Sequence, residues 1–274
     1  MLKLAGPVSR EKIARRLLCG ISQKAGIEVR LDTFGRTRYI GVMPGIQIGF
    51  IIFTFAGPLL LWILSRHVGS VRFARGISWF FAVAMLGAYA NVLRIVVRDG
   101  EFTPDFALPM HLCDWALGIT VAALLLRQQL CFELAYFWGL AGTVQALITP
   151  ALVSDDLGRI IGFFVVHSGI PASVLWLIFE FKMRPQRGAW LRVVLWSQFY
   201  LAVALAVNAA TGGNYGFLSH RPSTHSLLDF FSDTRWLYVL QIDLVALVAF
   251  LILDLPWQIA RCKDLRRNRS EPTH

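Results

Sequence analysis

Seven apolar runs, each close to twenty residues long, follow one another along the chain. They cover roughly 46–65, 77–97, 108–126, 131–153, 160–181, 190–210 and 236–257. About 30 Å of hydrocarbon crossed at 1.5 Å per residue needs ~20 apolar residues, so each run predicts one membrane-crossing α-helix. Short polar stretches separate the runs, except 211–235, which is rich in Gly, Ser, Asn and Pro. No internal repeat is visible. The pattern predicts an all-α polytopic protein with seven transmembrane helices in one membrane domain, 43–258, followed by a basic tail, 259–274. Residues 1–42 differ: they are polar and carry nine Lys/Arg against three acids. They read either as a basic amphipathic extension lying on a membrane surface or as a stretch upstream of a true start at Met43.

Composition sharpens this picture. The 274 residues are 56% hydrophobic and 16% charged, with 20 Phe and 9 Trp, and the mean hydropathy is +0.56. This excludes disorder and a collagen-like repeat, and it argues against an ordinary soluble domain, since soluble domains are less apolar and more charged. The net charge of +10 does not point to nucleic acid, because the basic residues cluster between apolar runs, as in membrane flanks. Cys19, Cys113, Cys131 and Cys262 are scattered without CxxC or CxxH spacing, which argues against structural zinc and a disulfide framework. No cleavable signal peptide is evident.

Charge placement also predicts orientation. The side on which the first run starts holds Arg94, Arg98, Arg159, Arg221 and Arg235. The other side holds Arg66, Arg72, Arg75, Arg127, Lys182, Arg184, Arg187, Arg192 and five more between Arg261 and Arg269, a ratio of 5 to 13. The positive-inside rule puts the second side in the cytoplasm, with the N-terminus outside and the C-terminus inside. Counting the nine basic residues of 1–42 erases that bias.

Polar groups within apolar crossings are costly and mark sites or buried pairings. Helix direction alternates, so depth follows from chain order. On the side where the odd-numbered runs start lie Asn91, Arg94 and Arg98, then His111, Cys113 and Asp114, then Gln145 and Thr149. His167, Asn208, Asn214, Gln241 and Asp243 fall there too. The opposite half holds mainly Glu133, Glu180, Gln198 and Asp254. The distribution predicts one polar pocket open to one leaflet. Cys113 falls ~7 Å and His167 ~10 Å below the same boundary. A thiol attacks as thiolate, and a nearby imidazole can take its proton. His111 is two residues from Cys113 and does not share its helix face, but it can meet Asp114 or Trp115.

Structural roles for the same residues stay open. A buried Cys is commonly an inert small core residue, a membrane His a hydrogen-bonding one, and Asp114 with Arg94 an interfacial ion pair. Phe132, Tyr136, Phe137 and Trp138 read as lipid-facing or interfacial aromatics. Gly139 and Gly142 suit close helix packing. His111, Cys113, Asp114 and His167 are suitable metal ligands by type, but their spacing matches no metal signature, and neither metal nor other cofactor is expected.

Four blocks in this order, LPMHLCDW (108–115), ELAYFWGLAGTVQALITP (133–150), FFVVHSGI (163–170) and GGNYGFL (212–218) with SLLD (226–229), resemble the YwaF-like bacterial integral membrane family. The resemblance spans nearly all of the apolar domain and excludes the segment before Met43. That family looks related to a eukaryotic acyltransferase that remodels ether phospholipids. It is more distantly similar to the androgen-induced, FAR-17a-like intramembrane hydrolases of fatty-acid esters. The resemblance implies a Cys nucleophile at Cys113 with a His base at His167. The hydrolases carry Thr in place of the Cys, so the acyltransferase-like variant fits better. It further implies membrane phospholipids as partners and the bacterial inner membrane as location. By position alone, Asn208, Asn214 or Gln145 would supply oxyanion donors, and Arg94 or Arg98 would hold a phosphate headgroup. The rival expectations are a small-solute transporter or channel, or a non-catalytic membrane protein. Against transport, the polar groups fill one half of the bundle rather than a continuous track.

Overall fold

The computed structural model describes residues 28–31, 37–40, 44–152, 154, 156–222 and 226–270. The possible start at Met43 and most of 1–42 lie outside the described residues. Upstream of the helices, β1 (Glu28–Leu31) and β2 (Thr37–Ile40) pair antiparallel, Glu28 opposite Ile40. Beyond this short hairpin the described residues are helical or irregular, so the membrane domain is all-α.

The helices are α1 (Pro44–Val68), α2 (Val71–Arg98), α3 (Leu112–Leu126), α4 (Gln129–Ile148), α5 (Leu157–Phe181), α6 (Ala189–Thr211) and α7 (Arg235–Ser270). Six of them are long and apolar enough to cross a membrane. The exception is α3, which has 15 residues, a length of about 22 Å at 1.5 Å per residue. The sequence pattern predicts a helix from 108, but helix begins only at Leu112. Pro109 has no N–H to donate and biases Leu108 toward extended backbone, and the Met110 N–H turns back onto the Leu108 carbonyl at 2.8 Å. The fourth run also ends early, at Ile148 rather than 153, with Thr149 leaving helical geometry just before Pro150.

Helix α5 is the most deeply buried of the spans and packs against α1, α2, α3 and α4. Its small residues permit this. A Cβ on Gly162 would strike the Val92 side chain of α2 and approach the Ala88 carbonyl at 3.3 Å, so only glycine lets these helices touch. Asp156 starts α5 by accepting from the Arg159 N–H at 3.0 Å.

Helix α4 corrects one expectation. Phe132, Tyr136, Phe137 and Trp138 are 0–6% exposed and form part of the core, not a lipid-facing stripe. Their polar atoms are satisfied inside: Trp138 Nε1 donates to Ser197 Oγ at 2.9 Å, and Tyr136 Oη donates to the Leu253 carbonyl at 2.9 Å and accepts from Trp257 Nε1 at 3.0 Å. The helix widens into a π turn at Gly139–Thr143, where Gly139 faces Ile170 and Gly142 faces Leu112. The small pair therefore does serve close packing.

The two ends of the bundle have different chemistry. At one end Glu133, fully buried, binds Arg192 through both oxygens at 2.8–2.9 Å and also accepts from Gln129 and from the Gln186 N–H. Asp254, equally buried, pairs with Arg261 and Gln258. These acids are structural. The other end carries the candidate site.

Candidate functional site

The first turn of α3 places Cys113, and the extended segment before it decides where that turn sits. Tyrosines and the 212–218 loop pin this segment. Tyr215, fully buried, accepts from the Leu108 N–H at 3.0 Å and donates to the Pro104 carbonyl at 2.7 Å. Tyr200 Oη donates to the Met110 carbonyl at 3.1 Å. The Asp114 carboxylate accepts from the His111 N–H at 3.0 Å, closing the helix start. His111 Nδ1 accepts from the Gly216 N–H at 3.4 Å, and its ring packs against Tyr215 and Phe217. Gly216 has φ +66, and a Cβ there would lie 2.8 Å from Tyr200 Oη; both backbone conformation and space demand glycine.

Asn208 holds this loop from below. Buried at the end of α6, it donates to the Tyr215 carbonyl at 3.0 Å and accepts from the Tyr215 N–H at 2.8 Å. Asn214 is similarly engaged, accepting from the Ser219 and His220 N–H groups and donating to the His220 carbonyl. Both candidate oxyanion donors are thus committed to loop architecture. Gln145 is exposed on α4 and donates to Thr149 Oγ1 at 2.9 Å.

Cys113 is half-buried, its sulfur against the backbone N–H groups of its own residue and of Asp114. Among the described residues the Leu112 and Cys113 amides find no backbone acceptor outside the helix, as expected for an N-terminal turn. Tyr89 of α2 and Tyr200 of α6 lie within electrostatic range of both Cys113 and Asp114. Tyr200 is bonded to Met110, whereas the half-buried Tyr89 hydroxyl makes no hydrogen bond among the described residues.

His167 is nearly buried on α5. Its Nδ1 sits 2.8 Å from the Phe163 carbonyl and its ring stacks on Phe163 with centroids 4.0 Å apart. A carbonyl only accepts, so Nδ1 carries the proton and Nε2 presents a lone pair. His111 and His167 are near enough to interact electrostatically, but no hydrogen bond joins His167 to Cys113. Among the described residues no three His, Cys, Asp or Glu side chains converge as a metal site.

The arginines divide. Arg98 pairs with Asp99 at 2.8 Å and Asp156 at 3.3 Å, and Arg159 ties Asp99 and Glu101 into the same cluster. The Arg98 hydrogen bond holds Asp99 below the usual carboxylate range, and the Arg159 N–H does the same for Asp156. Arg94 is exposed and bonded only to Asn91, at 3.1 Å, rather than to Asp114.

Sequence reasoning missed Tyr89, Tyr200 and Tyr215 as builders of the site. A phenol buried within a span needs a polar partner, and that signal was available at Tyr89 and Tyr200. No curated protein and no solved structure matches the chain. Residues 39–254 do match a family model, that of the TMEM164 family, and the chain, six of whose helices suit a bilayer, belongs to that family of membrane proteins.

Proposed function

We propose that this protein is an intramembrane lipid acyltransferase or esterase in which Cys113 is the nucleophile and His167 the base. The feature that best supports it is the state of His167: Nδ1–H tied to the Phe163 carbonyl and Nε2 without a hydrogen bond, at the bundle end that holds Cys113. Nε2 takes the thiol proton, directly or through a water. The thiolate attacks an ester carbonyl. The tetrahedral intermediate expels the lysolipid oxygen, which leaves with the proton from the imidazolium. A thioester on Cys113 remains. A lipid hydroxyl or water then gives its proton to Nε2, attacks the thioester and releases the thiolate, which regains its proton. The thiol and imidazole are not bonded at rest, a looseness common in sites without substrate.

Oxyanion donors come from groups other than those the sequence suggests. The Tyr89 hydroxyl, within electrostatic range of Cys113, and the Leu112 amide at the start of α3 are the unengaged donors at this end. Arg94, unlike Arg98, is available to a phosphate headgroup. In this reading the segment before α3 together with α3 makes the seventh crossing, the site faces the outer leaflet of a bacterial inner membrane, and the C-terminus is cytoplasmic. The YwaF-like resemblance and its lipid-acyl relatives point the same way.

The test uses membranes containing the full chain and phospholipid with a labelled acyl group. Wild type acquires hydroxylamine-sensitive label on Cys113 and alters the phospholipid profile; Cys113→Ala loses both, and His167→Ala slows labelling. Tyr89→Phe lowers turnover by about 10²-fold, the cost of one oxyanion donor. Unchanged lipids and no thioester in wild type would dismiss the enzyme reading, and solute flux into proteoliposomes that survives Cys113→Ala would establish transport instead.

A further inference from the structure

The opposite end of the bundle contains a second feature that the acyl-transfer reading does not use. A cavity of about 270 Å³ lies between the first turns of α2 and the end of α3, lined by Arg75, Ser78, Trp79, Leu124, Leu125 and Arg127. It holds two arginines and no carboxylate. Arg75 is exposed and makes no hydrogen bond or ion pair among the described residues. Arg127 follows α3 in left-handed conformation, φ 52, unusual for a residue with a side chain. Its guanidinium carbon sits 4.0 Å from the centre of the Phe181 ring. That stacking occupies the guanidinium face and leaves the N–H edges unspent. Its Nε is buried without a partner.

Two cations sharing a cavity repel each other, and an orphaned buried donor is costly. Partial burial first, then the Arg75 charge, holds Arg127 below its ordinary pKa. Ser78 is already engaged with Trp176 and Ala74 and offers no counter-charge. One small multivalent oxyanion between the two forks would satisfy the buried Nε and remove the repulsion at once. Tetrahedral phosphate oxygens match the fork geometry. Trp79 is exposed beside the cavity, as interfacial Trp residues are. This end also bears most of the loop Lys and Arg, the face that meets anionic lipid.

We propose that this cavity is a phosphate-binding site in which Arg75 and Arg127 jointly hold a phosphate monoester or diester, borne by a phospholipid headgroup of that leaflet. It lies at the far end of the bundle from Cys113, so it is a bound-lipid site and not the acyl-transfer site.

The full chain, purified in a neutral detergent, is titrated with short-chain phosphatidic acid, with diacylglycerol of the same chain length, and with inorganic phosphate at constant ionic strength. Native mass spectrometry counts bound lipid and thermal unfolding reads stabilisation. Phosphatidic acid binds and raises Tm, diacylglycerol does not, and Arg75→Gln weakens the binding by about tenfold, the worth of one charged hydrogen bond. Arg75 is exposed and makes no hydrogen bond or ion pair among the described residues, so that variant folds; Arg127→Gln is the second arm and weakens binding further. An arginine-dependent response to inorganic phosphate equal to that of the lipid upholds the anion site and assigns it a soluble source. Binding unchanged in Arg75→Gln, equal response to diacylglycerol, or no response to either phosphate probe overturns the site.

Discussion

Asn208→Ala separates an architectural role for this residue from a catalytic one. In the wild type its amide satisfies both backbone groups of Tyr215, donating at 3.0 Å and accepting at 2.8 Å, in a buried setting. The substitution leaves the Tyr215 N–H and C=O without those partners. Each orphaned group costs about 1–3 kcal/mol, so the pair sums to about 2–6 kcal/mol before the loop relaxes. At about 2–4 °C per kcal/mol for a chain of this size, that corresponds to a fall in Tm of roughly 4–24 °C. The loss should also be local. Tyr215 anchors Pro104 and Leu108 through its hydroxyl, so hydrogen exchange should rise together in 104–111 and 212–218. Asn208→Asp keeps the acceptor and sets a carboxylate against the Tyr215 carbonyl, and should be no more stable than the Ala variant at neutral pH. The assay is thermal unfolding in detergent combined with exchange mass spectrometry. A variant with unaltered Tm and exchange but lost acyl labelling would refute this reasoning and return Asn208 to the reacting groups.

Three further outcomes follow from the packing and charge arrangement. Glu133→Ala leaves Arg192 without its fully buried partner and should cost about 3 kcal/mol; in the double variant with Arg192→Met the losses should be non-additive by about 1 kcal/mol or more in a thermal cycle. Gly162→Ala forces α2 and α5 apart at Val92 and should cost about 1–3 kcal/mol, with Val92→Ala recovering part of the lost Tm. Asp99 and Asp156 have pKa values lowered in the folded protein by hydrogen bonds from Arg98 and from the Arg159 N–H. Their contribution is therefore complete above the ordinary carboxylate pKa of about 4 and is lost as pH falls through the lower folded values. Proteolysis of the 149–156 connection should be flat from pH 7 to about 5, rise below about 4, and show a smaller step in Asp99→Asn, where Asp156 still titrates.

The membrane character, most helix positions and the polar end of the bundle are legible because they depend on quantities a sequence carries directly: apolar run length and the rank order of polar residues along alternating helices. His111, Cys113, Asp114, His167 and Asn208 do gather at that end. What their side chains do there is less legible. Asn208 and Asn214 look like free donors in a linear reading, but their partners are backbone groups of a loop whose path hydropathy does not describe. Tyr89 and Tyr200 escape notice because tyrosine is at home at an interface as well as in a core. The same ambiguity misplaced Phe132, Tyr136, Phe137 and Trp138. In lipid an aromatic ring gains little by hydrophobicity from choosing the interior over the exterior, so packing with neighbouring helices decides, and a single run of sequence does not contain those neighbours.

The extended stretch before α3 has a consequence for biogenesis. On the proposed topology, in which this stretch and α3 together make the seventh crossing, a newly made chain that has reached only the end of α3 would present Pro109 and unpaired amides to lipid, an arrangement that hydrocarbon does not tolerate. The hydroxyls and the Gly216 N–H that complete it arrive some hundred residues later. On that topology, insertion of this segment is a late step, with α3 held at the translocon or in a polar cleft until α6 and its following loop have emerged. Chains cut before Tyr200 should integrate their other apolar helices yet leave Cys113 open to water-borne thiol reagents.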